Sequence, residues 1–183
     1  MVIVTGLPCT GKTTLGRQIA TEFRLPFINK DGVKELLFDS LGWSDRQWSK
    51  KLGYASYAIL FYILEEQLAA GRSFVLESNF YGKQATDKFL ELKNKYAFEA
   101  LQVLCVTDGE VLWQRFKRRS ESGERHPGHV DHLNYDEFSQ TLRRGRLEPL
   151  EIGGSVIEVD TTDFTRIDYR QVFAAVEALL SRK

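Results

Sequence analysis

The sequence predicts an α/β fold, a five-stranded parallel sheet between two layers of helices, and three observations carry that expectation. Short β-rich runs alternate with longer helical patterns along the 183 residues, which implies βαβ crossovers and a sheet covered on both faces. The first run, Val2-Ile3-Val4, is apolar without alternation, as befits a strand buried on both sides. A glycine-bearing turn follows it at once and opens a helix. At about 150 residues per domain, residues 1–183 are expected to form one domain.

The elements follow in order. Leu15, Ile19 and Phe23 have helical spacing, so the first helix spans 12–23. A short strand over 26–29 leads to a helix over 32–41, for which Asp31 is a suitable N-cap. Gly42 ends it in a left-handed turn. Ser44 and Gln47 have the spacing of a capping box for a long helix to residue 70. Residues 54–64 are apolar nearly all round, which predicts a well-buried helix. Phe74-Val75-Leu76 reads as the third strand, 84–94 as a helix and 100–106 as the fourth strand. Asp108 caps a helix through Arg119. Residues 120–133 hold two glycines, a proline and all three histidines, and read as a mobile loop. A helix over 135–147, a fifth strand over 156–159 and a helix over 166–180 complete the chain.

Composition excludes several classes. Apolar residues make up 43% and charged residues 27%, an ordinary globular balance. Lys plus Arg equals Asp plus Glu at 25 each, so nothing suggests a surface given over to nucleic acid or membrane. Cys9 and Cys105 are too few for a disulfide framework. The longest apolar run, 58–64, falls far short of the roughly 18 residues of a membrane span, and no secretory leader pattern opens the chain. A soluble, cytoplasmic protein without a membrane partner is expected.

Gly6-Leu7-Pro8-Cys9-Thr10-Gly11-Lys12-Thr13 matches G-x-x-x-x-G-K-[ST] without a mismatch. In that pattern, the Walker A or P-loop, backbone N–H groups converge on phosphate oxygens ahead of a helix N-terminus. Lys12 reaches the β- and γ-phosphates and the Thr13 hydroxyl binds Mg²⁺. Residues 6–13, with Thr14 beside them, are the expected nucleotide site, and the fold becomes a three-layer α/β/α P-loop NTPase. Cys9, beside the helix terminus, is expected to have a lowered thiol pKa.

The chain resembles the small bacterial P-loop phosphotransferases, including chloramphenicol phosphotransferase, zeta-toxin-like kinases and polynucleotide kinase domains, and similar AAA-domain ATP-binding proteins. Four regions carry the likeness: the P-loop, Asp31-Gly32-Val33-Lys34, the arginines from Arg115 to Arg119, and Val159-Asp160-Thr161-Thr162. The resemblance implies ATP and Mg²⁺ as cofactors, a hydroxyl-bearing acceptor and a lid over about 115–133. It implies that Asp31 accepts the acceptor's proton, with an N-cap role as the bland alternative. Glu77 is expected beside the P-loop strand, as a Mg²⁺ ligand or a substrate contact, with Asn79 and Phe80 on the same rim. Arg115 and Arg119, four apart on one helix face, resemble the lid arginines of adenylate kinases, one on adenine and one, catalytic, on phosphate. Thr161 and Thr162 lie where related kinases contact the adenine edge, or in an ordinary loop.

Arg125, His126, His129 and His132 fall in the lid, with Arg125 and His126 facing substrate; a transition-metal site is conceivable, but Pro127-Gly128 argues against one helical face presenting the imidazoles. Trp43, Trp48, Tyr54 and Tyr57 are candidates to stack on an acceptor ring. The expected activity is therefore transfer of the ATP γ-phosphoryl group to a small-molecule hydroxyl. A nucleic-acid 5′-hydroxyl is possible but not favoured at zero net charge. A regulatory ATPase module acting through a protein partner is the competing reading.

Overall fold

A computed structural model describes residues 1–181. The strands are β1 (Val2–Gly6), β2 (Phe27–Asn29), β3 (Val75–Glu77), β4 (Leu101–Val106) and β5 (Ser155–Asp160), all parallel in the order β2-β3-β1-β4-β5. The helices are α1 (Lys12–Glu22), α2 (Lys30–Leu41), α3 (Arg46–Ala69), α4 (Gly82–Lys95), α5 (Gly109–Glu121), α6 (Tyr135–Leu142) and α7 (Tyr169–Leu180). Three single 3₁₀ turns, Pro127–His129, Asp131–Leu133 and Phe164–Arg166, complete the described elements.

Alternation along β1 builds the three layers. Val2 and Val4 point to one face, where Leu15 and Ile19 of α1 and Val172 and Val176 of α7 cover them. Ile3 points to the other, beneath Leu60 and Leu64 of α3 and Phe89 of α4. Phe89 is fully buried among edge-on rings, with centroids 5.4 Å from Phe61 and 5.1 Å from Phe80. Phe89→Ala is therefore expected to cost about 3–5 kcal/mol, measured as a lowered urea midpoint at unchanged slope. A third cluster joins Leu7 to Leu112, Trp113 and Phe116 of α5 and Leu142 of α6, fixing the loop after β1 under α5.

Four details differ from the sequence expectation. Asn29, not Asp31, caps α2, its side chain accepting from the Gly32 N–H at 2.5 Å. Asp45, not Ser44, caps α3 by accepting from the Trp48 N–H at 2.8 Å. α3 is not buried all round: Ser49, Leu52, Ser56, Leu60, Leu64 and Leu68 form one stripe, while Tyr54 and Tyr62 are exposed. α6 stops at Leu142, short of 147, because Gly145 turns the chain at φ 73° and its carbonyl accepts from the Thr107 N–H at 2.9 Å.

Candidate active site

The loop leaving β1 has the geometry its sequence predicts. Thr10 folds it back, its hydroxyl donating to the Leu7 carbonyl at 2.9 Å. Cys9 and Gly11 both take left-handed conformations, φ 69° and 79°, which lets successive N–H groups face one concavity. Cys9 does so despite its Cβ, the kind of backbone strain that collects at functional sites. α1 begins at Lys12 with no side chain capping its N-terminus, so its first-turn N–H groups are open to an anion. The Cys9 thiol departs from expectation: burial pushes its pKa up, and Arg119 and Lys12 only partly offset this.

Parallel pairing sets the charged centre beneath this loop. Register Val4↔Glu77 between β1 and β3 brings the Glu77 carboxylate under α1. There it accepts from the Thr13 hydroxyl at 2.8 Å and lies 3.7 Å from Lys12 Nζ. Burial raises the Glu77 pKa, and Lys12 counters only part of the rise. A hydroxyl and a carboxylate side by side form an oxygen donor pair suited to a small hard cation such as Mg²⁺.

Two clefts meet above this centre. One, about 460 Å³, is lined by Cys9, Gly11, Thr13 and Thr14 of the loop and α1, with Arg115 and Phe164 opposite. The other, about 390 Å³, holds Pro8, Asp31, Tyr54, Tyr57 and Asn79. Lys12 and Arg119 line both. Arg119 is largely buried and its Nε has no hydrogen-bond partner. Burial lowers its pKa from the ordinary arginine value, and its nearest carboxylate, Asp131, stands 3.8 Å away. A buried, unsatisfied guanidinium N–H is costly, and a phosphate oxygen at the junction would satisfy it.

Arg115, one turn earlier, has a different post. It donates to the backbone carbonyls of Thr161 and Thr162 at 2.8 and 2.7 Å and lies 3.8 Å over the Phe164 ring. Phe164 in turn presses on Gly11, where a Cβ would come within 2.6 Å of its ring edge. Thr161 and Thr162 thus anchor Arg115 through carbonyls, and the Thr161 hydroxyl is buried against Thr107 at 2.6 Å. Phe164 itself was not among the sequence candidates, since nothing in its neighbourhood marks it before the chain is folded.

Asp31, freed from capping, lines the second cleft. Its carboxylate lies 2.9 Å from Arg125 Nη2 and 3.5 Å from Lys30 Nζ. Its surroundings would raise its pKa by burial, but Arg125, then Lys30, His129 and Lys12, overcome this and hold it well below the usual carboxylate range. The segment expected to be a mobile loop begins with the end of α5 and continues in two 3₁₀ turns, held both internally and by α2. Arg125 Nε stands 2.8 Å from Asp131, His129 Nε2 lies 2.9 Å from Glu35, and His126 Nε2 lies 3.1 Å from Asp39.

Several sequence candidates fall elsewhere. The Phe80 ring is buried in the core with Phe61 and Phe89, whereas Asn79 and Tyr81 on either side of it line the cleft. His126 stacks on Phe38 at 5.0 Å and faces Asp39, outside the cleft that His129 lines instead. No group of three His, Cys, Asp or Glu side chains suited to a metal occurs among the described residues; His126 faces Asp39 and His129 faces Glu35. Trp48 turns its Nε1 to the Gly42 carbonyl at 3.0 Å, and neither Trp43 nor Trp48 lines the cleft. Among the described residues no helix is long and apolar enough to cross a membrane.

Comparison with known proteins agrees with this architecture. A kinase-like protein from Chloroflexus aurantiacus J-10-fl superposes with a TM-score of 0.88 and 38% identity, over 97% of this chain and 96% of that one. A sugar kinase from Janibacter sp. HTCC2649 matches at TM-score 0.58 and 19% identity, over 98% and 93% of the two chains. A gluconokinase from Sinorhizobium meliloti 1021 matches at 0.52 and 17%, over 99% and 91%. These last two likenesses concern the fold alone. A search of curated proteins finds no match. Residues 1–144 match the AAA domain family. With its nucleotide loop, sheet order and helices in the arrangement of the P-loop kinases, the chain belongs to the AAA domain family.

Proposed function

We propose that the protein is an ATP-dependent phosphotransferase that moves the γ-phosphoryl group to a hydroxyl of a small molecule. The observation that carries this reading is the junction of two clefts at Lys12 and Arg119, with Asp31 lining one and Thr13 and Thr14 of the phosphate loop and α1 lining the other. A hydrolase needs one cleft and access for water, whereas transfer between two bound molecules needs two clefts sharing a wall.

In this reading the loop 6–14 holds the ATP phosphates through its N–H groups, and Lys12 reaches the γ-phosphate. Thr13 and Glu77 would hold Mg²⁺, which when bound neutralises charge between the β- and γ-phosphates. Arg119 donates its unpaired N–H to the moving phosphoryl group. The acceptor hydroxyl lies against Asp31. Its oxygen forms the new bond to the γ-phosphorus as the bond to the β,γ-bridging oxygen breaks. ADP leaves, and the hydroxyl proton passes to the Asp31 carboxylate. Because the transition state is loose, orientation by Asp31 counts for more than its basicity. A low pKa is therefore no handicap to that role.

α5 and the turns through Leu133 act as the lid, and Arg125, paired to Asp31, ties it to the acceptor side. The adenine end of ATP meets Phe164, held by Arg115 and Gly11. Phe164→Ala is expected to weaken ATP binding about tenfold or more, since ring-on-base stacking contributes about 1–3 kcal/mol. Calorimetric titration with Mg·ATP measures this, and an unchanged Kd would move the adenine elsewhere.

The test is a transfer screen with γ-labelled ATP across hydroxylated small molecules and 5′-hydroxyl oligonucleotides. A kinase keeps ATP intact until an acceptor arrives and then labels it stoichiometrically. Steady hydrolysis that responds only to a protein partner would favour a regulatory module instead.

A further inference from the structure

The second cleft is far more cationic than a neutral polyol requires. Seven cationic side chains line it against three carboxylates, Asp31, Asp131 and Glu137. All three carboxylates are already engaged. Asp31 and Asp131 pair with Arg125, and Glu137 pairs with Arg46 at 2.7 Å and Lys50 at 3.2 Å. Lys34 is left over. It is 4% exposed, and its ammonium has no carboxylate within ion-pair distance among the described residues. It donates to the Ser49 hydroxyl at 2.9 Å and lies 5.1 Å from the centre of the Phe38 ring. These two neutral neighbours leave an ammonium with three donors only partly satisfied. Burial of a cation without a counter-ion is costly. Burial and, next, the neighbouring Lys30 drive the Lys34 pKa down to about 7.

From this arrangement we infer that the acceptor carries an oxyanion as well as its reacting hydroxyl, and that Lys34 binds that oxyanion, with Lys50 and Arg46, which Glu137 already pairs, adding positive potential beside it. The inference rests on the kinase reading and names the substrate class of the same cleft. Helix geometry sets the distance between the two groups. Asp31 and Lys34 are three apart on α2 and so share a face, with Cβ atoms about 5–6 Å apart. On α3, Arg46, Ser49, Lys50 and Gly53 repeat at helical spacing along the facing wall. Gly53 faces Lys34, whose Cε and Nζ would be at ordinary contact distance, 3.8 Å, from a Cβ placed there. A compact hydroxylated carboxylate or phosphate, its anion one helical turn from the hydroxyl, fits both ends. A neutral sugar would leave Lys34 buried without a counter-charge.

The experiment fills the phosphate loop with Mg·AMP-PNP and titrates matched pairs by calorimetry. Sugar acids and phosphorylated polyols form the anionic arms, and the same sugars and polyols without the anion form the neutral arm. The anionic members should bind at least about tenfold tighter, as a charge-assisted bond is worth about 1.5–3 kcal/mol. Lys34→Gln should bring that ratio close to one while leaving the AMP-PNP Kd unchanged. Lys50 is half exposed, so Lys50→Gln should fold normally and reduce the ratio by a smaller factor; it serves if Lys34→Gln does not fold. Neutral members binding as well as anionic ones, no binding by either arm, or a ratio that both variants leave unchanged would overturn the inference. If AMP-PNP itself fails to bind, the kinase reading falls, and the comparison of wild type with the variants still decides the cleft's preference for anions.

Discussion

Asp31→Asn is expected to lower the transfer rate by about 10²–10⁴-fold, the range for a lost acid–base or hydroxyl-orienting group, while leaving ATP affinity unchanged. The two effects separate because Asp31 lines the second cleft, where we place the acceptor, and not the cleft holding Thr13 and Phe164. The substitution keeps the shape of the side chain, and Arg125 retains Asp131 at 2.8 Å, so the fold has little reason to change. Rapid-quench transfer assays beside Mg·ATP calorimetry measure both quantities, and near-normal turnover would refute the assignment. The pH dependence gives a second check. Arg125 overcomes burial to hold the Asp31 carboxyl well below its ordinary value, so the carboxylate stays charged on mild acidification. Its acid limb should therefore lie below the ordinary range for aspartate. The same pairing contributes stability present above the unfolded pKa and lost as pH falls through the folded one.

Lys12→Ala is expected to lower transfer by about 10²–10³-fold, the usual effect of removing one preorganised donor to a developing charge. Unlike the Asp31 variant it should also weaken Mg·ATP binding. Lys12 lies 3.7 Å from Glu77 and lines both clefts, so its loss affects nucleotide, transferred group and metal pair together. Glu77, already raised by burial, then loses its counter-charge and should take up a proton more readily. A modest drop in melting temperature, from about 1–3 kcal/mol of lost pairing, should accompany the kinetic loss. Unchanged ATP affinity by calorimetry would mean that the loop at residue 6 does not hold the phosphates.

The sequence alone determined the order of the elements and the nucleotide loop. Val2-Ile3-Val4, opening directly on a glycine turn, suited a doubly buried strand, and β1 is buried throughout. Gly11 at φ 79° and the run Gly11-Lys12-Thr13 use local chemistry, which the chain carries wherever it lies. Helix caps were less legible, because Asn29 and Asp31, or Ser44 and Asp45, are equally able to cap and the choice turns on a residue or two of backbone direction. The aromatic candidates were ambiguous for a similar reason: Phe80 and Tyr57 look alike in sequence, yet one packs into the core and the other opens on a cleft. What the tertiary structure decided was which distant charges meet. Arg125 on Asp31, Glu77 under Lys12, Phe164 against Gly11, and Lys34 without a carboxylate all depend on contacts between segments far apart in the chain. A charge acquires its role from the partner and the water that folding brings to it or removes. Local spacing cannot encode that, because the same lysine is an ordinary surface charge in water and an anion site once buried.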